Sequence, residues 1–231
     1  MPTITIHDGP AELAEAATEL VVEWLATAGP TTLSLSGGST PEATYERLAT
    51  SGLDWDVVTP WLGDERWVPP DHPDSNAAMV RRALGPGGPR LLAPDTTLDD
   101  PHDAAERYER LLDETLAADP DGRPGLVILG IGDDGHTASL FPGTGALGIT
   151  DRRYVANQID EEGTWRLTAT FPLLWAARKV LFLVQGAGKA AIVKRILEHG
   201  IPFPAQRVSE GADDVTWLLD AAAASQLSPT G

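Results

Sequence analysis

Three short apolar runs along the chain each end in glycine, a pattern typical of buried parallel strands. They are TTLSLSGG at 31–38, LVILGIG at 126–132 and KVLFLVQGAG at 179–188. Each run leads toward a stretch with helical character. The pattern therefore predicts repeated strand–turn–helix units, which build sheets whose strands run parallel.

The stretches after the first and third runs carry the end signals of helices. After the first run, we expect a helix to begin at Pro41, whose fixed φ suits a first turn, with Ser39 or Thr40 as its cap. After the third run, helical spacing over 188–200 places apolar side chains on one face, and a glycine supplies the stop. These positions are Ile192, Ile196, Leu197 and Gly200.

Both ends of the chain continue this alternation. A strand with alternating polarity, TITIH at 3–7, precedes a helix predicted over 10–29, and another long amphipathic helix is predicted over 99–118. The segment 215–231 indicates a short strand, a small helix and a frayed tail. Two Pro/Gly-rich stretches are predicted to be surface loops, at 85–94 and 119–125.

This order of elements predicts an α/β fold, with a doubly wound, mostly parallel sheet of the Rossmann-like type and helices on both faces. No change in composition marks a second core, so we expect a single domain over 1–231. In such folds ligands bind in the crevice at the carboxyl ends of the strands. The glycine-rich ends of the three runs mark that edge.

Composition and charge narrow the classes of function. The chain of 231 residues is 42% hydrophobic and 22% charged, which argues against wholesale disorder, coiled coil and fibrous structure. Its 17 basic and 34 acidic residues give a formal net charge of −17, so neither nucleic acid nor an anionic membrane is an expected partner. The lack of cysteine excludes disulfides and thiolate chemistry. The absence of a basic leader and of a long apolar stretch predicts a cytoplasmic location.

The loop GIGDDGH after the second run carries candidate acid–base chemistry. Its glycines fit the G-x-G-x-x-G pattern of dinucleotide sites, but two aspartates lie where a pyrophosphate would bind, which disfavours that interpretation. Asp134 lies two residues from His136, and a histidine, with an ordinary pKa of roughly 6.5, can accept and return a proton near neutral pH. The alternative is a helix cap followed by a partly exposed histidine. No histidine has metal-ligand spacing, so no metal is expected.

Small residues before the first predicted helix form a candidate anion site. Gly37, Gly38, Ser39 and Thr40 would present backbone N–H groups at a helix N-terminus, where phosphates bind in many folds. The alternative is a plain tight turn. The later turn GAGKAA lacks the first glycine and the Ser/Thr of a P-loop, but it leaves Lys189 as a candidate anion clamp.

Two arginines are further candidates. Arg66 follows Asp64 in WLGDERWVPP and has the forked geometry that binds phosphate, whereas a surface ion pair between Asp64 and Arg66 is the alternative. Arg166 lies in the alternating segment TWRLTAT, which predicts a strand. That pattern directs Arg166 either to solvent or to the cleft, and the sequence leaves both open.

Four segments taken together resemble the 6-phosphogluconolactonase family. They are LSLSGGSTP, WLGDERWVPPDHPDSN, LVILGIGDDGHTASLFPG and the GAGKA turn, in order across nearly the whole chain. The resemblance implies a fold of the sugar-phosphate isomerase type and hydrolysis of 6-phospho-D-glucono-1,5-lactone to 6-phospho-D-gluconate in the oxidative pentose phosphate pathway. It implies no cofactor, a sugar-phosphate lactone as ligand and a functional link to glucose-6-phosphate dehydrogenase. We expect a monomer, with a weak homodimer as the alternative.

The resemblance also assigns catalytic roles. It makes His136 the base that activates water and Asp134 the group that orients it. A lactone carbonyl is already electrophilic, so water and one positioned base suffice without a covalent intermediate. Backbone N–H groups of the glycine turns are candidate donors to the tetrahedral oxyanion.

The same resemblance assigns substrate binding to the glycine turn and to three cationic side chains. The turn at 37–40 lines the pocket, and Asp64 lies near the substrate hydroxyls or supports an arginine. The segment 160–164, DEEGT, departs from the Lys-Pro-rich run that often stands there in the family. The phosphate or sugar clamps are Arg66, Arg166 and Lys189.

Two other functions are weighed against this one. The deaminase branch of the same superfamily typically has Phe-Asn-Glu-Pro after its histidine, where this chain has SLFP at 139–142, and a tyrosine at the position of Arg66. A non-catalytic sugar-phosphate sensor would keep the pocket and lose the base, whereas Asp134 and His136 are both present. The sequence favours the lactonase.

Overall fold

The computed structural model describes residues 2–119, 121–160 and 163–228 of the chain. In this part the strands are β1 (Thr3–His7), β2 (Thr31–Leu35), β3 (Val58–Leu62), β4 (Asp64–Arg66), β5 (Leu126–Leu129), β6 (Tyr154–Gln158), β7 (Trp165–Ala169), β8 (Lys179–Val184) and β9 (Val215–Asp220). The α-helices are α1 (Pro10–Ala28), α2 (Ser39–Leu48), α3 (Asn76–Leu84), α4 (Pro101–Ala117), α5 (Phe171–Trp175), α6 (Ala190–Glu198), α7 (Pro204–Gly211) and α8 (Ala221–Ala224).

Six strands form a parallel sheet in the order β1-β9-β8-β5-β2-β3. Alternate side chains of β5 enter two separate hydrophobic clusters, with Val127 and Leu129 in one and Leu126 and Ile128 in the other. Helices α4, α6 and α7 contribute to the first cluster, and α1, α2 and α3 to the second. Helices therefore cover both faces, which confirms the predicted doubly wound α/β class.

A second, antiparallel sheet has the order β4-β7-β6. The alternating pattern at 165–169 predicted β7, but the pairing of β7 with β4 and β6 was not predicted. Gly63 joins the two sheets, because its N–H donates to the Leu35 carbonyl at the end of β2 and its carbonyl accepts from the Ala169 N–H at the end of β7. The second sheet therefore lies against the carboxyl ends of β2 and β3.

Two predictions about the turns were wrong. Helix α2 begins at Ser39 rather than Pro41, and no side chain caps it. Gly38 has φ = +113°, a conformation open mainly to glycine, so the chain enters the helix two residues early without a hydroxyl cap. The run ending at Gly132 leads into turns rather than into a helix, because the chain folds back through a bridge between Thr137 and Leu140.

The sequence pattern did not predict several elements of the structure, among them β3, β4, β6, α3, α5 and α7. The predicted loop 85–94 is confirmed, apart from a single bridge between Leu92 and Trp61. The end of the predicted frayed tail, 229–231, lies outside the described residues, as do Glu161 and Glu162 of the segment 160–164. Among the described helices, none is long and apolar enough to cross a membrane.

Candidate active site

A cavity of about 340 Å³ opens where the carboxyl ends of β2 and β5 meet the second sheet. Five of the residues singled out in the sequence line it together, although they come from four separate segments of the chain. They are Gly37, Asp64, Arg66, His136 and Arg166. The fold thus gathers these residues at the sheet edge where the glycine-ended strands predicted a ligand site.

His136 and Asp134 form a close pair at this cavity. The His136 Nδ1 lies 2.6 Å from Asp134 Oδ1, and the backbone N–H of His136 donates to the same oxygen at 3.1 Å. The alternative role of Asp134 as a helix cap does not hold, because no helix begins between 131 and 144. Asp134 is instead the direct partner of the imidazole.

The charge of Asp134 determines the tautomer of His136. Burial raises the pKa of Asp134, but the backbone hydrogen bond from His136, the charge interaction with its ring and the side-chain hydrogen bond together lower it by more. An ionised carboxylate only accepts hydrogen bonds, so the proton is assigned to Nδ1. The Nε2 lone pair is then left free to accept a proton.

The imidazole is also confined on its other sides. A Cβ at Gly132 would lie 2.1 Å from His136 Nδ1, so only glycine allows the loop to pass this close to the ring. The Phe141 ring stacks on the imidazole with centroids 4.0 Å apart and planes 28° apart. With its side chain 28% exposed, His136 is held firmly and still reaches the cavity.

Arg66 and Arg166 are register partners in the β4–β7 pairing. Directly opposed side chains lie on the same face of a sheet, and both residues line the cavity. Burial first, and then the neighbouring Arg66 charge, lower the pKa of the Arg166 guanidinium. Arg66 donates to the Asp74 carbonyl at 2.7 Å. Neither arginine forms an ion pair with a carboxylate in the described part of the chain, so the surface ion pair between Asp64 and Arg66 is absent there.

Asp64 is buried at the cavity wall and is bound by the loop that carries the histidine. Its Oδ2 accepts a hydrogen bond of 2.7 Å from Ser139 Oγ. Ser139 is fixed in turn, because its N–H donates to Thr168 Oγ1 and its carbonyl accepts from Asn157. Asp64 therefore ties the loop after β5 to the second sheet at the cavity wall.

The remaining predicted anion-binding residues lie in an adjacent cavity of about 210 Å³. It is lined by Gly38, Ser39 and Thr40 at the start of α2 and by Lys189, and it shares Gly37, Gly130 and Ile131 with the first cavity. Lys189 Nζ lies 2.6 Å from the exposed Asp133 carboxylate. The glycine turn thus borders both cavities, with one cationic side chain near the N-terminus of α2.

Glu65 is a structural contributor to the site that the sequence did not reveal. Its buried carboxylate accepts backbone N–H groups of Arg66, Asn76 and Ala77, each at 2.7 Å, and the Ser75 hydroxyl at 3.1 Å. Burial raises the pKa of Glu65, and the three backbone hydrogen bonds oppose that rise. The usable signal was Ser75, an N-cap residue before the apolar positions of α3.

Asn76 is a second missed residue of the cavity wall. Its Nδ2 donates to the backbone carbonyl of Asp64 at 2.9 Å, which ties the first turn of α3 to β4. In the described residues, no group of three or more histidine or carboxylate side chains is placed to hold a metal ion.

Comparisons with known proteins identify relatives of this chain. The family model for glucosamine-6-phosphate isomerases/6-phosphogluconolactonase matches residues 8–217. A 6-phosphogluconolactonase of Nostoc sp. strain PCC 7120 is 39% identical over 209 residues, which are 87% of this chain and 86% of that protein.

Solved structures of relatives cover nearly the whole chain. The 6-phosphogluconolactonase of Trypanosoma brucei superposes with a TM-score of 0.84 at 31% identity, covering 99% of each chain. A monomeric glucosamine-6-phosphate deaminase reaches a TM-score of 0.83 at 25% identity, covering 97% of this chain and 99% of its own. Since the fold is common to both activities, the side chains of the site have to distinguish them. On the family match and the relatives, the chain belongs to the glucosamine-6-phosphate isomerase/6-phosphogluconolactonase family.

Proposed function

We propose that this chain hydrolyses 6-phospho-D-glucono-1,5-lactone to 6-phospho-D-gluconate. The observation that carries the proposal is the His136 imidazole, bound at Nδ1 by Asp134, at the wall of a cavity that also holds two guanidinium groups without carboxylate partners in the described chain. A base and two cations fit a neutral lactone carrying a phosphate. The relatives named 6-phosphogluconolactonase support the same substrate.

The reaction requires one proton to move twice. His136 Nε2 accepts a proton from water while the water oxygen bonds to C1 of the lactone and the carbonyl electrons move to its oxygen. When the tetrahedral intermediate collapses, the bond between C1 and the ring oxygen breaks. The imidazolium returns its proton to that oxygen, so no covalent enzyme intermediate is needed. Asp134 stabilises the imidazolium between the two steps.

The cations and the glycine turn hold the substrate. Arg66, Arg166 and Lys189 act as clamps on the phosphate and sugar, and the backbone N–H groups of 37–40 add donors at the start of α2. Asp64, with one oxygen bound by Ser139, offers the other to a substrate hydroxyl. Binding energy at the phosphate then positions C1 near the base without taking part in bond breaking.

We place this reaction in the oxidative pentose phosphate pathway, where glucose-6-phosphate dehydrogenase supplies the lactone. The proposal includes a cytoplasmic monomer, with a weak homodimer as its alternative. A link to the dehydrogenase through the shared metabolite requires no physical contact between the two proteins.

The test follows lactone loss after glucose-6-phosphate dehydrogenase generates the lactone in situ, with the spontaneous rate subtracted. We expect the wild-type protein to accelerate the decay. His136→Ala should lower kcat by about 100- to 10,000-fold, because the general base is removed. The KM should change little, since the phosphate contacts remain.

His199→Ala is the matched control, because His199 is the C-cap residue after helix α6 and does not line the cavity. It should retain wild-type turnover. A wild-type rate equal to the spontaneous rate would contradict the proposal, and release of ammonia from glucosamine 6-phosphate would then favour the deaminase.

A further inference from the structure

Phe141 is placed unlike the other phenylalanines of the chain. Of the four, Phe171 and Phe182 lie in the first hydrophobic cluster, the one that contains Val127 and Leu129, and Phe203 packs against that cluster. Phe141 belongs to neither hydrophobic cluster and lines the catalytic cavity. Because large aromatic side chains are usually buried in a core, one that lies outside both clusters and lines the cavity is expected to have a role at the site.

The partner of Phe141 is the imidazole of His136. The two rings are stacked, with centroids 4.0 Å apart and planes 28° apart. Asp134 binds the same imidazole at Nδ1, and the backbone at Gly132 lies against its Nδ1–Cε1 edge. One ring face and one edge are therefore occupied.

We infer that Phe141 is a positioning residue for the base, which fixes the plane of the imidazole and stabilises its protonated form. This inference rests on the proposed function, because it gives His136 the role of general base. The hydrogen bond to Asp134 leaves the ring free to tilt about the Nδ1 contact, and stacking removes that freedom. The negative face of a phenyl ring also attracts a cation, so it favours imidazolium over imidazole.

The backbone around Phe141 is anchored to the second sheet. Its carbonyl accepts hydrogen bonds from the N–H of Thr144 at 3.2 Å and from the Thr144 hydroxyl at 2.8 Å. Asn157 Nδ2 in β6 donates both to that hydroxyl and to the Ser139 carbonyl. Strand β6 thus holds the segment on either side of Phe141, and the phenyl ring has a fixed support.

The charged groups around the imidazole do not replace this contact. Asp134 faces it from its own loop, and Asp64, Arg66 and Arg166 face the same cavity from the second sheet. The two arginines oppose a positive charge on the imidazole. Phe141 is the neutral neighbour that favours that charge without competing for the substrate phosphate.

The test compares Phe141→Leu, which keeps an apolar side chain, with Phe141→Tyr, which keeps the aromatic face. We expect Phe141→Leu to lower kcat by about 3- to 30-fold with KM changed by less than about threefold. Phe141→Tyr should retain most of the wild-type kcat. Phe171→Leu is the control, since Phe171 stacks on Trp175 in the core. It should lower the thermal stability and leave kcat nearly unchanged.

A second measurement does not depend on turnover. Proton NMR of the His136 ring, assigned with His136→Ala, should show resonances displaced by the phenyl ring current, lost in Phe141→Leu and kept in Phe141→Tyr. Resonances that do not move, or a kcat in Phe141→Leu equal to that of the wild type, would overturn the inference. If the resonances move but wild type hydrolyses no lactone, the proposed function fails and the positioning of the imidazole stands.

Discussion

A single carboxylate oxygen decides which nitrogen of His136 is free. Asp134 Oδ1 accepts from both the backbone N–H and the ring Nδ1 of a residue only two positions away. These two contacts fix the position of Nδ1 relative to the carboxylate. The carboxylate therefore holds the proton at Nδ1, which leaves the Nε2 lone pair free to accept a proton, as the proposed general base requires.

Asp134→Asn tests this role of the carboxylate. The amide keeps the shape but loses the charge, and its NH₂ group can donate to Nδ1 and so place the ring proton on Nε2. We expect kcat to fall by about 10- to 1,000-fold while KM changes by less than about threefold. Steady-state lactone hydrolysis measures both.

Asp133→Asn is the comparison for that variant, because Asp133 is adjacent in sequence but contacts Lys189 rather than His136. Its kcat should remain within about threefold of the wild type. Equal losses of kcat in the two variants would contradict a specific role for Asp134.

At the scale of elements, the first turn of α3 and the short strand β4 form one unit. Glu65 in β4 accepts the N–H groups of two residues at the start of α3 and that of Arg66. The same carboxylate thereby satisfies donors that a helix start leaves unpaired and fixes the backbone from which Arg66 enters the cavity. A three-residue strand gains a defined position from this contact.

Glu65→Gln should destabilise the protein. The glutamine presents an NH₂ group toward backbone donors, so at least one buried N–H loses its acceptor, at a cost of about 1–3 kcal/mol in the free energy of unfolding. Urea denaturation measures the change. Ser75→Ala, which removes the Ser75 cap of Ala78 N–H and one hydrogen bond to Glu65, should cost only about 1 kcal/mol. A Glu65→Gln protein as stable as the wild type would rule out this role.

At the scale of the molecule, the site lies between two sheets that contribute different residues to it. The loop after β5 of the parallel sheet supplies His136, and the β4–β7 pair of the antiparallel sheet supplies Arg66 and Arg166. The net charge of −17 would repel a phosphate from most of the surface. Two adjacent guanidinium groups give the cavity the local positive charge that an anionic substrate requires.

Arg66→Ala and Arg166→Ala should each raise KM by about 10- to 100-fold and lower kcat by less than about fivefold, because each removes a charged contact rather than the base. The matched control is Arg90→Ala, a surface arginine away from this cavity. Wild-type KM should rise with ionic strength, and more steeply than in either variant. An unchanged KM in both variants would eliminate the two arginines as clamps.

The sequence alone determined the parallel strands that frame the site and the contact between Asp134 and His136. Apolar runs ending in glycine predicted β2, β5 and β8, and the spacing of Asp134 and His136 indicated their contact, because these features depend on neighbours along the chain. The glycine turn and Lys189 were likewise found from local motifs, and the structure places them together in one cavity.

Only the tertiary structure decided the rest of the site. Strand β4 consists of three charged residues without alternation, and its Arg66 pairs with Arg166 of β7 a hundred positions away. Local periodicity therefore held no sign that the two arginines are neighbours. The stacking of Phe141 on His136 depends on anchoring by β6. The physical reason is that short strands and ring contacts are stabilised by partners distant in sequence, which a pattern of nearby residues does not record.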